Sequence, residues 1–77
     1  MEKIDTAIAK ILRKLRETKG ISQEDLSFRA DLHRTYISQL ERGLKSITVK
    51  KLMKITEVLG IDIDSFMTMV KNELKKL

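Results

Sequence analysis

Glycine and proline are scarce in this chain, and their positions restrict how it can fold. Proline is absent, and the only glycines are Gly20, Gly43 and Gly60 among 77 residues. Leucine, isoleucine, lysine, arginine, glutamate and methionine dominate the composition, and most of these residues favour helices. Glycine is the residue that most readily ends a helix. The sequence therefore predicts an all-α protein whose helices are divided by the three glycines.

Apolar residues near the start of the chain repeat at the spacing of one helical face. These residues are Ile4, Ile8, Ile11, Leu12 and Leu15. Basic residues lie between them and are assigned to the other side of the helix. They are Lys10, Arg13, Lys14 and Arg16. The pattern predicts a first helix that ends at Gly20, and it leaves the basic cluster open between a solvated face and a binding surface.

A second helix is predicted to begin near Gln23. Ser22 stands three residues before Asp25, a variant of the capping box that opens many helices. Leu26 and Ala30 form its apolar side. A brief interruption follows, in which Asp31 can adopt the left-handed backbone of a tight turn.

Three more helices are predicted in the rest of the chain. The third runs from about Arg34 to Arg42, the fourth follows Thr48 and ends at Gly60, and the fifth begins after Asp62. The inward residues expected from them are Ile37, Leu40, Leu52, Ile55, Val58, Leu59, Ile63, Phe66, Met67, Val70, Leu74 and Leu77.

The length of the chain predicts a single domain, residues 1–77, with a small core. There is no Cys and only one His, so we expect neither disulfides nor a metal site, and association with a second copy is the remaining source of stability. The apolar arc of the C-terminal helix, about residues 62–76, is too wide for one neighbour. This helix is predicted to contribute to a homodimer interface through Phe66, Met69, Val70 and Leu74.

Charge is distributed unevenly along the chain, whose net charge is +5. Residues 33–54 contain six lysines and arginines against one glutamate, whereas residues 55–77 contain three basic residues against four acidic ones. The basic middle predicts a polyanionic partner. No long apolar run and no signal-peptide pattern is found, so we expect a cytoplasmic protein with no membrane contact.

The second and third predicted helices have the layout of a DNA-binding helix-turn-helix. The major groove, about 12 Å wide, admits one helix that is short, held by a partner helix and polar along its outer side. With Ile37 and Leu40 inward, polar residues are left on the outer side of the third helix. They are Arg34, Thr35, Ser38, Gln39 and Arg42. Arginine recognises guanine, glutamine recognises adenine, and threonine contacts the thymine methyl group.

Two segments carry a resemblance to a known family. They are GISQEDL at 20–26 and LHRTYISQLERG at 32–43. Together they resemble the Cro and phage-repressor type of helix-turn-helix regulator, also called the xenobiotic response element family. The resemblance implies a five-helix, lambda-repressor-like fold. The RTYIS run, the LKSITVK segment and the lysine-rich last helix most resemble the controller proteins of restriction–modification systems.

The resemblance also implies which residues contact DNA. Gln23 would contact phosphate, Arg34 and Thr35 would contact base edges, and the other residues of the third helix would divide between bases and backbone. Two loop residues would lie close to the DNA. These further residues are Tyr36, Ser38, Gln39, Arg42, Lys45 and Ser46. The chain departs from the family pattern at Asp31, where Gly is usual, and at Ile47, where many members have Pro.

Several functions remain open at this point. The favoured one is a dimeric repressor or activator on a pseudo-palindromic operator in double-stranded DNA, with recognition helices about 34 Å apart. A phage-type repressor, an antitoxin and a protein-interaction module are the alternatives. Activation would require RNA polymerase, for which Glu24 and Asp25 are candidate contacts by analogy. The lone His33 has no partners for catalysis, so we expect no enzyme, cofactor or small-molecule ligand.

Overall fold

The structure, a computed structural model, describes residues 2–77, which form five helices joined by three short turns and, between the third and fourth helices, a longer loop. The helices are α1 (Lys3–Lys19), α2 (Gln23–Ala30), α3 (Arg34–Glu41), α4 (Val49–Leu59) and α5 (Ile63–Leu74). No strand occurs within these residues, so the predicted five-helix, all-α class is confirmed. None of the helices in this range has the length and apolar character that crossing a membrane requires.

Side-chain caps begin two of the helices where the sequence predicts them. The Asp25 backbone N–H donates to Ser22 Oγ at 2.9 Å, and the Lys51 N–H donates to Thr48 Oγ1 at 3.2 Å. Each bond satisfies a backbone donor that has no partner within the helix. Asp62 also occupies the residue before a helix, but its side chain accepts no capping hydrogen bond.

Left-handed backbone ends three helices. Gly20 follows α1 with φ 78° and Gly60 follows α4 with φ 70°, values at which a side chain would be strained. Asp31 follows α2 with φ 55°, as predicted from its tolerance of this conformation. α3 ends at Glu41, one residue before the predicted end at Arg42.

The core is built around α1, which packs against α3, α4 and α5, while α2 packs against α3 and α4. Every helix contributes apolar side chains to one cluster. The buried members are Ala7, Ile8, Ile11, Leu12, Leu26, Ala30, Ile37, Leu40, Leu52, Ile55, Phe66 and Val70. Because α2 and α3 both rest on this cluster, their relative orientation is fixed by the same packing that stabilises the fold.

Two residues of the predicted dimer interface lie inside the core of a single chain. Phe66 is 0% exposed and Val70 is 1% exposed. Neither has surface left for a second chain, so the interface prediction is wrong at these two positions. Met69 and Leu74 pack against the core and are partly exposed, and their contact with a partner stays a prediction.

The two phenylalanines of the chain provide a matched test of this packing. Phe66→Ala should cost about 3–5 kcal/mol of unfolding free energy, because it removes a buried ring and leaves a cavity. Phe28 is 87% exposed, so Phe28→Ala should change the free energy by no more than about 0.5 kcal/mol. Urea unfolding at one protein concentration, followed by circular dichroism, measures both. Equal losses for the two variants would contradict the described core.

Candidate nucleic-acid interface

A three-residue turn sets the angle between α2 and α3. The Leu32 N–H donates to the Ser27 carbonyl at 2.9 Å, and the Asp31 N–H donates to the Phe28 carbonyl at 3.3 Å. These bonds close the end of α2, and the chain then enters α3 without a side-chain cap from His33. The result is two short helices held at a fixed angle, which is the geometry that a helix inserted into a groove requires.

Packing sets the rotation of α3 about its own axis. Ile37 is 0% exposed and Leu40 is 1% exposed, so this side of α3 faces the core. Arg34, Thr35 and Arg42 are exposed, as predicted. The helix therefore presents a polar edge to its surroundings while its apolar edge stabilises the fold.

Six of the nine predicted DNA-contacting residues line one open hollow on the surface. These residues are Gln23, Arg34, Thr35, Ser38, Gln39 and Arg42. No acidic side chain lines this hollow. Lys45 and Ser46 are exposed in the loop after α3 but do not line it. The start of α2 and the outer edge of α3 thus form a continuous polar surface.

An ion pair joins α1 to the end of α3. Arg16 Nε donates to Glu41 Oε2 at 2.6 Å, and Arg16 Nη2 donates to Glu41 Oε1 at 2.9 Å. The two side chains are only 11% and 2% exposed. The hydrogen bond to Glu41 raises the pKa of Arg16 above its usual value, against the opposing effect of burial. Contrary to the prediction, Arg16 therefore does not lie with the other basic residues on the side of α1 opposite the apolar face.

Both members of this ion pair also form hydrogen bonds with residues at or just before the start of α2. Gln23 Nε2 donates to Glu41 Oε1 at 3.0 Å, and Arg16 Nη1 donates to the Ile21 carbonyl at 2.8 Å. The sequence-based prediction missed this network, although the chain contains a signal for it. Arg16 follows Leu12 by four residues, a spacing that places both on one face of a helix.

Tyr36 occupies a different environment from its neighbours on α3. Lys51 Nζ lies 4.4 Å from the centre of its ring, a cation–π contact with α4. The hydroxyl oxygen is buried and has no hydrogen-bond partner. Burial raises the pKa of Tyr36 above its ordinary value. The hydroxyl is therefore not accessible in this conformation, and a contact between this hydroxyl and DNA would require a rotation of the side chain.

The acidic residues give no evidence of a metal centre within residues 2–77. No group of three acidic, histidine or cysteine side chains in this range could hold an ion.

Glu24 and Asp25 are exposed on α2, and their contact with polymerase stays a prediction.

Comparison with known proteins decides the family. Residues 12–66 match the family described as helix-turn-helix. Control protein C.BamHI of Bacillus amyloliquefaciens is 42% identical over 69 residues, which cover 84% of this chain and 85% of that relative. The chain belongs to the helix-turn-helix family of control proteins.

Two further matches agree with this family. Control protein C.MunI of a Mycoplasma species is 36% identical, over 80% of this chain and 85% of the relative. The crystal structure of the restriction–modification controller protein C.Esp1396I, a tetramer in complex with its natural 35 base-pair operator, superposes with a TM-score of 0.88. That match is 32% identical and covers 96% of this chain and 97% of the other. The resemblance to controller proteins is confirmed.

The buried phenol of Tyr36 predicts a specific pH dependence. The folded state favours the neutral phenol. The contribution of Tyr36 to the free energy of unfolding is therefore fully present below pH 10 and is lost as the pH rises through the raised pKa of the folded state. Tyr36 is the only tyrosine and there is no tryptophan, so tyrosinate absorbance reports this residue alone. Its titration midpoint should lie higher in folded protein than in denaturant. Above pH 10, Tyr36→Phe should lose less of its free energy of unfolding than the parent protein does. Identical tyrosinate midpoints in folded and denatured protein would contradict the burial of the hydroxyl.

Proposed function

We propose that this protein is a sequence-specific, double-stranded DNA-binding transcription regulator that acts by binding rather than by catalysis. Its role would be that of a controller protein of a restriction–modification system, bound as a homodimer to an inverted-repeat operator. The observation that carries the proposal is the hollow at α2 and α3, where six polar side chains meet and no acidic residue intrudes.

The residues of the hollow supply both parts of DNA recognition. Arg34 can donate two parallel hydrogen bonds to guanine, and Gln39 can donate to and accept from adenine. Arg42, and Lys45 in the loop that follows α3, can neutralise phosphates of the duplex. No ion pair within residues 2–77 engages Arg34, Arg42 or Lys45. Their charges are therefore free to attract a polyanion.

An exposed apolar surface supports the dimer. Met53 of α4 is 54% exposed, and Met67 of α5 is 38% exposed. Met53 and Ile63 line a common hollow, and Met67 follows Ile63 by one helical turn. This α4–α5 surface, formed by Met53, Ile63 and Met67, takes the place of the buried Phe66 and Val70 in the proposed interface. Its burial against a second copy would remove apolar surface from water.

Replacement of Arg34 tests base recognition. Arg34→Ala should cost about 1–3 kcal/mol of binding free energy on the preferred duplex and relax the base preference at one position. Lys71→Ala removes a charge from exposed α5 and is the control. Selection from random duplexes followed by titration gives both quantities. An equal loss on every sequence would show that Arg34 contacts only the backbone.

Replacement of Met67 tests the dimer surface. Met67→Glu should raise the dimer dissociation constant at least about tenfold, because a charge loses its hydration inside an apolar contact. Asn72→Glu adds the same charge to an exposed position of the same helix and should leave dimerisation unchanged. Sedimentation equilibrium measures both. Unchanged dimerisation in Met67→Glu would place the interface elsewhere.

A further inference from the structure

Glu41 is the point at which three helices meet through one carboxylate. Its side chain is 2% exposed, although it is the last residue of the helix that carries the polar edge. Oε2 accepts from Arg16, and Oε1 accepts from both Arg16 and Gln23. A buried carboxylate needs such partners, because its charge would otherwise be costly to remove from water.

The bond from Gln23 to Glu41 determines how the Gln23 amide is oriented. An amide nitrogen has two N–H donors, and this bond at 3.0 Å uses one of them. A flipped amide would place its carbonyl oxygen against the carboxylate, and two acceptors repel each other. The second N–H is left for an acceptor in the hollow that Gln23 lines with Arg34 and Arg42.

We propose that Glu41 is a positioning residue, which holds the Gln23 amide so that its second N–H donates to a phosphate oxygen of bound DNA. This inference rests on the proposed DNA-binding function. The benefit is preorganisation, since a side chain already fixed in its binding orientation loses less conformational freedom when the duplex arrives. Arg16 neutralises Glu41, so the carboxylate can hold the amide without repelling the nearby phosphates.

A double-mutant cycle tests whether Glu41 acts through Gln23. Glu41→Gln keeps the size of the side chain and removes its charge, and the cycle compares its effect with and without Gln23→Ala. We expect Glu41→Gln to weaken duplex binding roughly 2- to 10-fold in the parent chain. In the Gln23→Ala chain we expect less than about a 2-fold effect.

Two controls separate positioning from other effects of Glu41. Glu17→Gln removes the same charge from an exposed site on α1 and should change binding little. Gln23→Ala removes a neutral group, so it should weaken binding at every salt concentration without changing the slope of log Kd against log salt. Equal losses from Glu41→Gln in both backgrounds would overturn the positioning role while leaving DNA binding intact.

A measurement on the unaltered protein keeps the test independent of folding in the variants. In nuclear magnetic resonance spectra of the free protein, one Gln23 side-chain N–H should exchange slowly with water and the other quickly. The fast-exchanging proton should shift on addition of the preferred duplex. Fast exchange of both protons in the free protein would overturn the proposal. Absence of any duplex binding would overturn both the positioning role and the proposed function.

Discussion

The buried ion pair between Arg16 and Glu41 is the interaction on which the polar surface depends. Packing of Ile37 and Leu40 fixes the rotation of α3, but apolar contacts alone are not directional. The bidentate pair adds direction, because a guanidinium and a carboxylate meet in one plane. Through Glu41 the same pair reaches Gln23, so the start of α2 and the end of α3 are held relative to each other.

A buried ion pair is a costly way to join helices, and an apolar contact of the same size is often as stable. The pair instead fixes how α1 and α3 are oriented relative to each other at the edge of the molecule, where the hydrophobic core ends. It also places a negative charge next to the polar hollow without exposing it. An unpaired glutamate at this position would repel the phosphates that Arg42 and Lys45 are proposed to attract.

The helices could be predicted from the sequence because their ends depend on local chemistry. Ser22, Thr48 and Asp31 cap or end helices through bonds and backbone angles within a few residues. Contacts between distant residues were harder. The pairing of Arg16 with Glu41 spans 25 residues, and arginine normally indicates a solvated position. The division of the apolar residues of α5 between core and surface was also beyond the sequence, because a broad apolar arc does not show which part the single chain covers. Phe66 and Val70 proved to be core, whereas Met67 remained at the surface.

Chemical-shift mapping on a duplex selected from random sequences tests the central claim most directly. We expect amide signals of Gln23, of α3 and of the loop at Lys45 and Ser46 to shift or broaden as the duplex is added, while signals on the outer side of α5, such as Asn72, stay unchanged. Shifts confined to α1 and α5, with α3 unchanged, would contradict the assignment of α2 and α3 as the DNA-binding surface.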